Sequence, residues 1–350
     1  MQKQFKILIT LFVLVLLLPN IVMILGIEKE NNNENRKFKS LPEFNISTPK
    51  KSIKDLKQYY EENYGLKQSF VNTYIAIKNN FNSFPIPNRV VKGTNNWYFL
   101  GNDFNNYLND TFGNSPFTNR ELDLITEKIK TYQTYLNSKN IAFFLVVPPN
   151  KSSIYKNQLP YSLSLNNTKL DQLIFHLKKE INFDIIDLRT FLISNAKDNL
   201  LYLKSDTHWN EYGAYLGYKK TMETIKEHFD LNLAKLDEFH LEQIKAQGDI
   251  TAMINDSELE VTNIYTSKNK NIKAYHQDTH YVKFKNPNTK LKLLMYHDSF
   301  SYAWMNYFNY SFGESIYIHD NKLNKTIIEK TKPDIVILEI VERNLIHLTD

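Results

Sequence analysis

The chain has no cysteine among its 350 residues. That absence excludes disulfides, thiolate metal sites and a cysteine nucleophile together. It leaves the compartment open, because an exported protein need not carry a disulfide. There is also no excess of one charge. Lys and Arg number 43 against 38 Asp and Glu, a net charge of +5 with the signs interspersed, so no nucleic-acid surface is indicated. The Lys-rich stretches at Lys50-Lys51 and from Lys268 to Lys273 read as solvated loops. No internal repeat is evident. Hydrophobic residues make up 42% of the chain, which suffices for a sizeable core in one or two domains.

Near the N-terminus Ile7 to Ile27 is almost continuously apolar, interrupted by Thr10, Pro19-Asn20 and Gly26. A helix crossing the hydrocarbon of a membrane needs roughly 20 residues, and this run reaches that length. Lys3 and Lys6 precede it, which keeps the N-terminus cytoplasmic and sends the remainder across. A cleaved signal peptide ending at the Pro19-Asn20 break is the competing reading, but no small-x-small cleavage site follows. Residues 1–28 are therefore expected to be a membrane anchor or signal peptide. Residues 29–89 follow as a polar, Asn-rich tether and a segment with helical spacing from Ile53 to Asn79.

From about residue 90 the pattern changes. Asn95 to Leu100 is a turn running into an aromatic strand. Thr118 to Glu121 forms a capping box that opens an amphipathic helix with Leu122, Ile125, Ile129, Tyr132 and Leu136 on one face. Ile141 to Val147 is an unbroken apolar run stopped by Pro148-Pro149. Leu170 to Ile181 reads as helix, Phe183 to Leu188 as strand, and Asn210 to Phe229 as helix with Ala214, Tyr218, Met222 and Ile225 in register. Leu291 to Tyr296, Ile316 to Ile318 and Ile335 to Val341 are further strands. Near-continuous apolar strands alternating with helices indicate a mostly parallel sheet covered on both faces. Residues 90–350 thus read as one α/β domain, with an irregular, polar insertion or lid near 231–288.

Two short strings carry chemistry. Asp206-Thr207-His208-Trp209-Asn210 sets a carboxylate and an imidazole two residues apart, on one side of an extended segment. Tyr296-His297-Asp298-Ser299-Phe300 sets a serine where a buried strand breaks toward a helix expected over Tyr302 to Phe308. Ligands of open α/β sheets bind at that end of the strands, and N–H groups there can hold a developing oxyanion. Ser299, His208 and Asp206 are the nucleophile, base and orienting acid that serine acyl transfer requires. The alternatives are a serine N-cap at 299, a structural histidine at 208, and metal ligation by Asp206 and His208, for which no third ligand is evident. Asp278-Thr279-His280 repeats the tripeptide in a strand-like context, so context and not the tripeptide separates the copies.

These residues resemble the alginate O-acetyltransferase-like branch of the SGNH hydrolases, with its Asp-x-His-Trp signature and later Gly-Asp-Ser-Phe-like block. The likeness extends to Glu34-Asn35-Arg36 with Leu41-Pro42, Lys92-Gly93 through Leu100, Val147 to Lys151 with Tyr155, and Pro333-Asp334-Ile335-Val336 through Glu342-Arg343. His297 departs from it, standing where a glycine is usual, as do Asn95-Asn96 before Trp97 and Asn150, where lysine is frequent. The resemblance implies a three-layer α/β/α fold and a Ser299–His208–Asp206 triad; no cofactor or metal is expected. It also implies acetyl transfer to a polysaccharide acceptor outside the cytoplasm, at the inner membrane, with the acetyl group delivered by a membrane-embedded acyltransferase. Esterase action and a non-catalytic scaffold are the other readings. Trp209, Arg343 and His297 are further candidates for contact with substrate. Packing under His208 is the favoured reading of Trp209, and a surface ion pair with Glu339 or Glu342 is an equal reading of Arg343.

Overall fold

The computed structural model describes residues 2–25, 40–42, 49–66, 69, 89–161, 166–277 and 281–350. The chain divides into two compact units, residues 1–85 with 252–256, and residues 86–251 with 257–350.

In the first unit, α1 (Gln2–Leu25) contains a stretch, Leu8–Leu25, long and apolar enough to cross a membrane. Leu8, Phe12 and Leu16 are exposed, a surface that suits lipid better than water. The helix runs through Pro19 instead of breaking there, as helices in a membrane tolerate. α2 (Pro49–Asn63) covers the first part of the helical stretch expected from Ile53 to Asn79. The remainder of that stretch, apart from a few residues up to position 69, and the Glu34-Asn35-Arg36 motif lie outside the described residues.

In the second unit, β1 (Val90–Lys92) and β2 (Tyr98–Leu100) form an antiparallel pair. Asn95 and Asn96 in the turn between them take φ of 53° and 60°. Asparagine tolerates left-handed backbone better than other non-glycine residues, so the two asparagines can make the turn that a glycine makes elsewhere. Then come α3 (Asn119–Asn137), with the expected Thr118–Glu121 capping box, β3 (Ala142–Val147), α4 (Lys169–Ile181), β4 (Ile186–Asp187) and α5 (Glu211–Lys226). They are followed by β5 (Phe239–Ala246), β6 (Glu260–Ser267), β7 (Lys273–Gln277), β8 (Tyr281–Lys285) and β9 (Lys292–Tyr296). The last elements are α6 (Met305–Ser311), β10 (Glu314–Ile318), α7 (Lys325–Thr331) and β11 (Ile335–Glu339).

The main sheet has the order β4-β3-β11-β9-β10-β8-β7. Neighbours from β4 to β10 are parallel, while β8 and β7 join antiparallel at one edge. On one face Leu122, Ile125 and Ile129 of α3, Leu173 and Leu177 of α4 and Ile328 of α7 pack on Leu145, Val147, Leu294, Val336 and Leu338. On the other face the Tyr317 hydroxyl of β10 donates to the Met305 carbonyl of α6. Tyr218 of α5 meets Phe308 of α6 edge-on at 5.0 Å. The result is the expected three-layer α/β/α arrangement.

One expectation is overturned. The stretch near 231–288 is not irregular: β5 and β6 pair along their full eight-residue length, and β7 with β8 extends the main sheet. Most of β5 is solvent-exposed, so it lacks the apolar alternation by which strands are recognised. The Phe183 to Leu188 strand is shorter than its apolar run, with only Ile186–Asp187 paired.

Candidate active site

Tyr296, His297 and Asp298 lead out of the C-terminal end of β9, and Ser299 opens a 3-10 turn, Ser299–Ala303, ahead of α6. The helix expected from Tyr302 therefore begins at Met305. The capping residue is Asp298 and not Ser299. Asp298 Oδ1 accepts from Phe300 N at 3.0 Å, and Oδ2 accepts from Val341 N at 2.9 Å and Asn344 Nδ2 at 3.2 Å. The N-cap reading of Ser299 is thus replaced, and its hydroxyl is left for another partner. Beneath the turn, Glu339 Oε2 accepts from Asp298 N at 2.9 Å and from Ser301 Oγ at 2.8 Å. Burial, reinforced by the Asp298 charge, pushes the Glu339 carboxyl well above the usual carboxylate range.

His208 arrives from the loop before α5, whose start is fixed by Asn210 Oδ1 accepting from Gly213 N at 2.8 Å. His208 Nε2 lies 2.8 Å from Ser299 Oγ, and Nδ1 lies 2.8 Å from Asp206 Oδ1. An ionised Asp206 only accepts, so Nδ1 carries the proton, Nε2 is the acceptor, and the serine hydroxyl donates to it. Burial alone would raise the Asp206 carboxyl. The hydrogen bond to the His208 ring, the charge of that ring and the N–H groups of His208 and Asp249 outweigh burial and pull it down to about 2.

Two residues not singled out from the sequence complete the surroundings. Lys151 is buried, and its ammonium donates to the carbonyls of Leu203, Lys204 and Asp206 at 3.1, 3.0 and 2.5 Å. Three acceptors match its three donors, so it fixes the loop that carries Asp206. Burial pushes the ammonium down to about 7 against the Asp206, Asp249 and Glu260 charges that hold it up. Asp249 accepts from Thr207 N and Thr207 Oγ1, and places Oδ2 3.6 Å from His208 Nδ1. Nothing in the local sequence marks it beyond the Gly248-Asp249 pair ahead of Ile250.

The other candidates fall differently. Trp209 is 3% exposed, its indole N–H donates to the Phe300 carbonyl at 3.0 Å, and it packs on Phe300 and Trp304. It offers no face to a sugar and serves as packing behind His208. His297 is buried, donates from Nδ1 to the Asp298 carbonyl at 2.7 Å, and is pushed down to about 4 by burial. It lines a cavity of about 320 Å³ with His319, Asp320, Asn344 and His347. Arg343 makes no ion pair with Glu339 or Glu342, and its guanidinium lies 5.2 Å over the Phe300 ring. Glu342 instead accepts from Asn150 N and Ser153 Oγ and faces Arg189. Asp278-Thr279-His280 lies outside the described residues.

Among the described residues, Asp206, His208 and Asp249 are the one group whose ligand atoms lie close enough to hold a metal ion, so the missing third ligand has a candidate in Asp249. A metal on Nδ1 would move the ring proton to Nε2 and end its acceptance of the serine proton. The two uses exclude one another, and the direct 2.8 Å contact between Nδ1 and Asp206 Oδ1 is that of a hydrogen bond.

Residues 90–286 match the family model of the SGNH hydrolase-like domain of the acetyltransferase AlgX. The chain belongs to this family. The matched segment holds Asp206 and His208 and stops short of Ser299. PatB1 of Bacillus cereus superposes with a TM-score of 0.57 at 18% identity, covering 73% of this chain and 96% of that one. A second PatB1 structure, carrying a sulfonyl adduct, gives 0.54 at 18% identity over 73% and 97%. No curated protein matches the chain in sequence. Membership of the family makes the chain an acyltransferase or esterase on an SGNH-like fold.

Proposed function

We propose that this family member is an O-acetyltransferase working outside the cytoplasm through a serine acyl-enzyme. The reading is supported above all by the continuous line Ser299 Oγ–His208 Nε2, His208 Nδ1–Asp206 Oδ1, each step 2.8 Å. His208 takes the Ser299 proton as Oγ attacks the carbonyl carbon of a donor ester. The tetrahedral oxyanion forms beside the Ser299 N–H, which opens a 3-10 turn and has no intrahelical acceptor. Collapse releases the donor alcohol, which takes the proton from His208, and leaves acetyl on Oγ. A polysaccharide hydroxyl then gives its proton to His208, attacks the acetyl carbon and carries the acetyl away, restoring Ser299. Water in the acceptor's place gives esterase action.

In this reading the acceptor is a polysaccharide, which the family supports, and the donor partner is a membrane-embedded acyltransferase. The apolar α1 supports an inner-membrane anchor with the catalytic unit on the outer side. Arg343 is a substrate contact in this reading, since its guanidinium lies 5.2 Å over the Phe300 ring, itself 5.0 Å from the His208 ring.

PatB1 carries a sulfonyl adduct in one structure, and a sulfonylating reagent tests this chain. With a sulfonyl fluoride, the Oγ–S bond should form, fluoride leave and His208 accept the proton, adding the sulfonyl mass to the Ser299 peptide. Ser299→Ala should prevent that labelling and lower ester turnover at least about a thousandfold. Full activity in Ser299→Ala would refute the serine mechanism.

A further inference from the structure

The His208 ring faces a second carboxylate. We propose that Asp249 is a positioning residue of this site: its backbone holds Asp206, and its side chain shares the charge that develops on His208. The inference rests on the serine reading above. Asp249 N donates to Asp206 Oδ2 at 3.0 Å, which fixes the oxygen that His208 does not use. Asp249 Oδ1 accepts from Thr207 N at 2.6 Å and Oδ2 from Thr207 Oγ1 at 2.5 Å. Oδ2 also lies 3.6 Å from His208 Nδ1, and Thr207 Oγ1 lies 3.2 Å from the same nitrogen. Nδ1 thus faces oxygens of Asp206, Thr207 and Asp249, with Asp206 closest.

Structure alone does not call for a charge at this position. An asparagine could accept from Thr207 N and donate to its hydroxyl without bringing two carboxylates together. The pairing is unfavourable in the resting site: burial and the Asp206 charge raise the Asp249 carboxyl, with His208 and Thr207 opposing. The repulsion is offset when the serine proton reaches Nε2 and the ring becomes a cation flanked by both acids. Among the described residues, the other charges near the ring are the Lys151 ammonium on the Asp206 carbonyl, Glu260 on Ser205 and Lys204, and Arg343 on Phe300, whose ring is 5.0 Å from His208. None of these touches Nδ1.

The test is the pH–rate profile of a chromogenic acetate ester with the full chain in detergent. Asp249→Asn should lower kcat about tenfold, leave KM within about twofold and move the acid limb down by about one pH unit, because a neutral neighbour makes the ring a weaker base. Asp249→Glu should keep the limb in its wild-type place. An Asp249→Asn enzyme that folds, loses activity and keeps the wild-type limb has lost a merely structural group, and overturns the proposal; so does one with no change. Should that variant not fold, Asp249→Ser is read in the same way. Ser299→Ala run in parallel separates the two readings: if it is inactive while the Asp249→Asn limb stays put, only the Asp249 inference falls.

Discussion

Gly248 links the packing of this molecule to its chemistry, and a single methyl group tests the link. A Cβ at position 248 would lie 2.1 Å from the Ser205 carbonyl oxygen, 2.2 Å from its carbon and 2.5 Å from its Oγ. An ordinary carbon–oxygen contact is about 3.3 Å, so Gly248→Ala must drive the two segments about 1 Å apart. Ser205 O accepts from Ile250 N at 3.1 Å and Thr251 N at 3.2 Å, and both bonds lengthen with it. Two bonds at roughly 1 kcal/mol each, with residual strain, predict a loss of about 2–4 kcal/mol in urea unfolding. Ser205 precedes Asp206, so the displacement passes to the acid behind His208. A misplacement of about 1 Å can cost about a hundredfold in rate, and kcat for ester hydrolysis should fall by that order at temperatures where the variant is folded. A Gly248→Ala enzyme with kcat within about threefold of wild type would refute the mechanical coupling. Unchanged stability would refute the packing argument itself.

Two further outcomes are expected. Trp209→Phe removes the indole donor to the Phe300 carbonyl and thins the packing on Trp304, which predicts a loss of roughly 2–3 kcal/mol in denaturant unfolding; an unchanged midpoint with a raised KM for acceptor sugar would restore the sugar-stacking role. Burial lifts the Glu342 carboxyl to about 7, with Arg189, Ser153 and the Asn150 N–H opposing. The folded state therefore binds the extra proton between its ordinary value and 7. That contribution is fully present below the ordinary carboxyl range and is lost as pH rises through about 7, an effect of about 3 kcal/mol. Glu342→Gln should flatten this part of the stability–pH curve in urea melts, and an unaltered slope would count against it.

The parts of the site legible in the sequence were those with a local signature. Ser299 stood at the end of an apolar run where a strand had to stop, and Asp206-x-His208 stood just before a helix with a clear periodic face. Asp249 lies more than 40 residues from the ring it faces, in a stretch whose strands are too exposed to show alternation, so no spacing rule reaches it. Lys151 was visible only as one residue of a Pro-Pro-Asn-Lys stretch, because its three acceptors come from a loop some 50 residues away. Of the two readings of Arg343, the ion pair is not formed, because its carboxylate neighbours in sequence turn inward, Glu339 to Ser301 and Glu342 to Ser153. Strand existence could be read from apolar runs; strand order could not, since nothing local says which runs lie side by side.

The sheet order has a consequence for how the molecule comes into being. β11, last of the strands in sequence, is inserted between β3 and β9, so the middle of the sheet stays vacant until Ile335–Glu339 is available. A nascent chain in this condition has no complete central core to close upon, and such long-range pairings form slowly. That delay leaves the emerging chain in open, extended states for longer than a sheet built in sequence order would.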